Sequence, residues 1–393
     1  MDNKSELNLP VKEIYIFDAE PGMTIAQDIL SQDGSLIAAS GTILSMETIS
    51  KISACRVLEI KIYDLMQLTP APKPNLETTF STKVEDETLT GKMENDPNSA
   101  KSTYYDKVRQ SPEYKNFEST YEKGVNNLKI HLNELVTKHS PTVDEEALAS
   151  YPNTLLCLCK NKLQVFDMLH SLRNFDDLTY SHSVNVALIS SIIGQWMRLP
   201  VQDIHQLTIA GMVHDIGKTQ IPDEILNKPG KLTDQEFAIM KKHVDIGYDI
   251  LKNKQIDNRI REAALFHHEK CDGSGYPFGL SGDKIPTFAK ILAVADIYDA
   301  LTADRIYRKA VCPFTAIRML EEDSFTKLDP KYTLPFLRNV VSSYIHNNVK
   351  LDNGEIGEVV MINDRNLSRP IVKINNRFID LSTEPKRSII AIV

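Results

Sequence analysis

"HHEKCDGSGYP", residues 267–277, sets two histidines side by side, follows them with an acid, and ends on a tyrosine held between glycine and proline. The run from Cys271 to Pro286 is rich in Gly, Pro, Ser and Asp and reads as a loop. On both sides of it apolar residues recur at helical spacing, from about residue 111 to about 347, with further loops at "LNKPGKLT" and "KLDPKYT". "SPEYKNF" announces the first of these helices: Ser111 is suited to cap it, and Pro112 suits the first helical position, where an N–H has no intrahelical partner anyway. The spacing predicts an all-helical domain over residues 111–347, in which a loop presents paired imidazoles.

The flanks break this pattern. Residues 11–64 alternate short β-like runs ("VKEIYIF", "DGSLIAASGTIL", "RVLEIKIYD") with turn signals and one short helical stretch, "METISKISA", which together describe a small α+β unit. Residues 67–110 are polar, proline-bearing and poor in large aliphatics, so burial cannot offset their ordering entropy and they read as a flexible linker. In the tail, "EIGEVVMIN", "RPIVKI", "RFIDLS" and "RSIIAIV" read as strands separated by turn residues, a β-rich appendage over 348–393. The expected organisation is therefore mainly α: a small α+β domain (1–66), a linker (67–110), a helical domain (111–347) and a short β appendage (348–393).

A formal net charge of -8 argues against binding nucleic acid polymers, whose backbone affinity comes from massed Lys and Arg. No run reaches the roughly 20 apolar residues that a membrane span needs, and the start "MDNKSELNLP" lacks a basic segment leading into an apolar one, so the reading is cytoplasmic. The 5 cysteines are odd in number and follow no framework spacing, which points to reduced thiols.

Five of the 10 histidines stand in polar, motif-like contexts within the helical domain: His182, His214, His243, His267 and His268. Asp215 follows His214 directly, and Asp296 interrupts the apolar run "AVADIYDAL", where an unpaired carboxylate would be costly. Imidazole with carboxylate is the donor set of a transition-metal centre, since calcium prefers all-oxygen cages. Neighbours on a helix point about 100° apart, so His267 with His268, and His214 with Asp215, are expected to serve two ions rather than chelate one. Lys218, four residues after His214, falls on the same helix face and would hold its ammonium beside a leaving oxygen. Two divalent ions against two carboxylates leave surplus positive charge, which suits an anionic substrate and hydrolysis of a phosphoester. Arg305 and Arg308 in "DRIYR" add planar donors for a phosphate or a guanine edge. On residues alone, Tyr276 is read equally well as a base-stacking aromatic or as an anchor of its own loop.

"HDIGK" at 214–218, "HHEKCDGSGYP" at 267–277 and "DIYDALTADRIYR" at 296–308 together resemble the HD-GYP family, a branch of the HD phosphohydrolases that hydrolyses cyclic di-GMP; the resemblance covers roughly residues 150–345. The 11–64 unit is similar to the small N-terminal domain often found ahead of such domains. The resemblance implies an all-helical HD-type hydrolase fold and a cyclic di-GMP phosphodiesterase in which a hydroxide bridging two metals attacks phosphorus, releasing linear pGpG or going on to GMP. His182, His214, Asp215, His243, His267, His268 and Asp296 match its metal ligands, and Lys218 and Asp215 its catalytic positions. Gly275, Tyr276, Arg305 and Arg308 match positions that contact substrate. Iron or manganese is the implied metal, with zinc, nickel or cobalt as alternatives.

Two departures stand out. Members with a third metal carry a Glu one helical turn before the first histidine, where this chain has Leu178 preceded by Asp176 and Asp177, so two metals are expected, with pGpG favoured as product. Ile306 replaces the proline of the usual "DRPYR" and frees the φ angle there. A non-hydrolytic cyclic di-GMP receptor that signals to a protein partner, and a hydrolase for another cyclic dinucleotide, are the competing readings. The 1–66 domain is expected to sense a signal or to build a homodimer.

Overall fold

In the computed structural model the described residues are most of 11–63, then 104–137, 141–172, 178–303 and 310–393. The chain divides into two compact units, Met1–Ser102 and Thr103–Val393.

In the first unit, β1 (Val11–Tyr15), β2 (Ile29–Leu30), β3 (Leu36–Ala38) and β4 (Glu59–Tyr63) form two antiparallel pairs, β1 with β4 and β2 with β3. Ile60 and Ile62 alternate inward on β4 and meet Ile25, Ile29, Ala38, Leu44 and Ile52 in one apolar cluster, as a period of two along a strand requires. The helix expected over 46–54 lies largely outside the described residues.

The second unit is helical, then β. Its helices run α1 (Tyr104–Gln110), α2 (Pro112–Thr137), α3 (Glu145–Leu158), α4 (Lys162–Ser171), α5 (Leu178–Trp196), α6 (Val201–Val213), α7 (Asp223–Leu226), α8 (Asp234–Lys241), α9 (His243–Leu251), α10 (Asn258–Phe266), α11 (Thr287–Thr302), α12 (Pro313–Asp323) and α13 (Pro330–Ser342). The expected mainly helical architecture is what is found. Ser111 caps α2 as its sequence position suggests, accepting from Tyr114 N at 3.1 Å. The linker, in contrast, was expected to run to residue 110, and α1 already begins at Tyr104. The cause is local: Tyr104 and Tyr105 set two aromatic rings side by side, and Tyr105 packs edge-on to His170 of α4 at 5.9 Å.

Two helices make the floor of the site. In α5, Val186, Ala187, Leu188 and Ile189 are all buried, and so are Ile291 to Ala295 in α11. Four consecutive buried residues point in every direction round a helix, so both are enclosed on all sides. Polar side chains placed on them therefore face either a partner or a ligand.

The tail forms a five-stranded antiparallel sheet in the order β8-β7-β6-β5-β9, from β5 (Asn348–Leu351), β6 (Ile356–Met361), β7 (Ile371–Ile374), β8 (Arg377–Asp380) and β9 (Ile389–Ile392). The sheet is tied to the helices through Glu321 of α12, whose carboxylate accepts from Leu367 N at 2.8 Å and Ser368 Oγ at 3.0 Å. β5 went unread in the sequence: "NVKL" is four residues long and alternates exposed with buried, too brief for its period to declare itself.

Candidate metal centre

α6 ends at Val213, His214 follows as its C-cap, and the chain tightens into a 3₁₀ turn over Ile216–Gln220. Gly217 makes that turn possible: a Cβ there would lie 1.9 Å from the His243 carbonyl oxygen and 2.6 Å from Gly247 N. This close approach sets the start of α9, and hence His243, against His214 and Asp215. It also corrects the expectation that Lys218 shares a helix face with His214. Lys218 instead sits in the 3₁₀ turn with Nζ bonded to Asp215 Oδ2.

The structure gathers the histidines and acids of five segments. Asp215, His243, His267 and His268 offer donor atoms that all lie within 4.8 Å of one another, and so do His182, His214 and Asp215. Asp215 belongs to both groups, and its two oxygens face apart. Oδ1 lies 3.3 Å from His243 Nε2 and 3.7 Å from His267 Nε2, while Oδ2 lies 3.3 Å from His214 Nε2 and 3.7 Å from His182 Nε2. Asp296, from α11, approaches His182 Nε2 at 3.0 Å through Oδ1 and His268 Nδ1 at 3.7 Å through Oδ2. The expected sharing of ions by the adjacent histidines is corrected: His267 and His268 converge on one group. α10 ends at Phe266, so the two residues follow a turn and not the 100° step of a helix.

Each ring is oriented from behind. His214 Nδ1 donates to Gly211 O at 2.8 Å, His243 Nδ1 to Met240 O at 2.7 Å, and His267 Nδ1 to Ala264 O at 3.0 Å. A carbonyl only accepts, so the proton resides on Nδ1 and the Nε2 lone pair of each neutral ring points into the cluster. Burial disfavours the charged form of three of the rings. It pushes His243 down to about 3 against the pull of Asp215, and it lowers His214 and, with His267 adding repulsion, His268. For Asp215 burial acts the other way, yet the Lys218 ammonium bonded to it holds its carboxyl well below the usual range.

His214 Nε2, His243 Nε2, His267 Nε2 and Asp215 Oδ1 are buried and carry no hydrogen bond among the described residues. Orphaned buried polar atoms are rare and costly in folded proteins. Lone pairs from both donor groups and a carboxylate oxygen, with no protons between them, suit divalent cations, and the cluster fits a metal site.

Sequence reading missed the supports of this site. Asp299, one turn beyond Asp296 on α11, is buried and accepts from His182 Nδ1 at 2.6 Å and from Asn185 Nδ2 at 2.7 Å. Asn185 Oδ1 accepts in turn from the Tyr121 hydroxyl at 2.6 Å. The repeat of Asp at i and i+3 in "DIYDA" was the available signal. Burial disfavours charge on His182, but bonds to Asp296 and Asp299 outweigh it and raise the ring to about 9. A cation at Nε2 must therefore displace a proton. Asn at 299 has one acceptor oxygen and cannot serve both His182 and Asn185. Asp299→Asn is accordingly expected to weaken metal binding about 10–100-fold, read by titrating metal-stripped protein against a competing chelator; unchanged affinity would refute this role.

Glu269 was likewise passed over. It is buried, and its carboxylate accepts from Phe278 N at 2.7 Å and Leu280 N at 2.9 Å, pinning the loop that carries Tyr276. Gly275 lies against the same loop, where a Cβ would meet Glu269 Cα at 2.5 Å and His268 O at 2.6 Å. Tyr276 is thereby laid over His268, with ring centroids 4.8 Å apart. Arg305, Ile306 and Arg308 lie outside the described residues, as do Asp176 and Asp177.

The family described as HD domain matches residues 165–332, the stretch that supplies every residue of the cluster. This part of the chain is therefore similar to HD domains, and its donor cluster fits a metal site. With "HHEKCDGSGYP" contributing His267 and His268 to the donor cluster, the likeness is to the HD-GYP type. A cyclic di-GMP phosphodiesterase of Pseudomonas aeruginosa is 36% identical over 242 residues, covering 61% of this chain and 56% of that protein. A cyclic di-GMP phosphodiesterase of Thermotoga maritima is 36% identical over 211 residues, covering 50% and 57%. A 3'3'-cGAMP-specific phosphodiesterase of Vibrio cholerae is 40% identical over 164 residues, covering 41% and 31%. The chain thus spans about half the length of the first two of these relatives and less of the third. Among the described residues no helix is long and apolar enough to cross a membrane.

Proposed function

We propose that this chain is a metal-dependent phosphodiesterase that opens cyclic di-GMP to linear pGpG. The observation that carries the reading is the pair of donor groups sharing Asp215, in which His214 Nε2, His243 Nε2, His267 Nε2 and Asp215 Oδ1 carry no hydrogen bond among the described residues. His182, His214, Asp215, His243, His267, His268 and Asp296 would hold two divalent ions, iron or manganese by the family resemblance. When bound, such a pair polarises a phosphodiester and makes water nucleophilic at neutral pH.

The chain's own residues supply the rest. Asp215 has an oxygen facing each donor group and so couples the two halves of the site. Lys218, beside Asp215 and partly exposed, is placed to give a proton to the departing 3′-oxygen. Tyr276, over His268 at the edge of the cluster, offers a face to a guanine next to the scissile phosphate. Gly275 holds that tyrosine in place, and Arg305 and Arg308 have the planar donors that a phosphate or guanine edge takes. Residues 1–66 are assigned a regulatory or dimerising role.

A second reading is favoured by one finding, the similarity to a 3'3'-cGAMP-specific phosphodiesterase. The test is to load the full chain anaerobically with iron or manganese and to offer cyclic di-GMP, 3'3'-cGAMP and cyclic di-AMP separately, separating products by chromatography. pGpG is expected from cyclic di-GMP, with kcat/KM about tenfold or more above the others. A preference for 3'3'-cGAMP would replace the first reading with the second, and tight binding without any product would make the chain a receptor.

A further inference from the structure

We propose that Phe237 and Lys241 form, with Tyr276, a subsite for the second guanine of the cyclic dinucleotide, one step farther from the metal cluster than Tyr276 itself. The inference rests on the substrate proposed above.

Phe237 and Lys241 stand one turn apart on α8, a helix that contributes no donor to the cluster. A capping box at Thr233 and Glu236 fixes the start of that helix, so both side chains project from a rigid element. The Phe237 ring meets Tyr276 edge-on, at 6.4 Å and 82°, and Tyr276 in turn lies over His268. The aromatic line thus leads directly outward from a cluster residue. Lys241 Nζ lies 5.3 Å from the Phe237 ring centre and 5.8 Å from that of Tyr276, a cation shared by two aromatic faces.

Phe237 nevertheless remains 47% exposed. It borders a cavity of about 410 Å³ whose other walls include Leu226, Lys228, Lys231, Leu232 and Met240. Apolar walls with lysines at the rim match a planar base carrying oxygen and nitrogen acceptors at its edge. Of the rim lysines Lys228 is already engaged with Glu236 at 2.6 Å, and outside that lining Lys241 stands against both rings of the aromatic pair. A cyclic dinucleotide presents two bases joined through two phosphates. With one phosphate at the cluster and its flanking base on Tyr276, the other base falls on the Phe237 side.

The test uses the metal-loaded full chain and two substrates, cyclic di-GMP and methyl 4-nitrophenyl phosphate, a phosphodiester without a nucleobase. Phe237→Ala is expected to raise KM for cyclic di-GMP about tenfold, the effect of losing one base–aromatic contact. It should leave kcat for cyclic di-GMP, and the rate on the base-free diester, within about twofold, since Phe237 stands away from the reacting atoms. Phe237→Trp should keep KM near that of the unsubstituted chain, and Lys241→Ala should raise it. An unchanged KM in Phe237→Ala, or an equal loss on both substrates, overturns the subsite. Should the unsubstituted chain cleave the base-free diester but not cyclic di-GMP, the substrate assignment itself falls, which is a different result from either of these.

Discussion

Asp215→Ala is expected to abolish turnover, with a loss of about 10³-fold or more, the upper end of what removing one electrostatic stabiliser costs an active site. Asp215 is the member common to both donor groups, so its removal takes an oxygen from each. His214→Ala removes a donor from only one group and is expected to act less severely on metal content. In both variants the fold should persist, because the centre is built on α5 and α11, which are enclosed by apolar packing that neither change touches. Elemental analysis after anaerobic loading, together with a thermal melt, separates the contributions. Asp215→Ala should lose more metal than His214→Ala while both melt near the parent. Full metal content with full activity in Asp215→Ala would remove Asp215 from the centre and the shared-carboxylate argument with it.

The parts of this centre that sequence could disclose are those whose chemistry is uncommon. Five histidines in polar contexts and a carboxylate inside an apolar run call for partners, and the structure gathers the histidines around Asp215 with Asp296 against His182 and His268. Supporting residues are harder to read. Asp299 looks like one more acid on a helix until its distance to His182 is known, and Glu269 like a loop acid until two backbone N–H groups are found on it. Geometry inferred from periodicity failed where a helix stopped. Lys218 left the face of His214 because α6 gives way to a 3₁₀ turn, and His267 with His268 converged because α10 ends one residue before them. The same limit applied to α1, where two tyrosines within a polar run were enough to begin a helix.

Gly217 and Gly247 face each other across the contact between the 3₁₀ turn and α9, and substituting them is expected to have opposite consequences. In Gly217→Ala the new methyl would stand 1.9 Å from the His243 carbonyl oxygen and 2.8 Å from its carbon, atoms of backbone that cannot swing away as a side chain would. Either the turn or the start of α9 must shift. The turn carries Lys218 and α9 begins at His243, so a shift of either separates His243 from Asp215. A destabilisation of about 4 kcal/mol is expected, which for a unit of this size lowers Tm by roughly 6 °C, together with loss of metal. In Gly247→Ala the methyl finds nothing nearer than Gly217 N at 3.4 Å, an ordinary contact, and lies in a helix where alanine is favoured over glycine. That variant should match or exceed the parent by up to about 1 kcal/mol and retain its metal. Paired melts and metal analyses decide the matter. If Gly217→Ala melts with the parent and binds metal normally, the close approach of turn and helix is not what holds His243 in place, and the route from "HDIGK" to the geometry of the centre must be sought elsewhere.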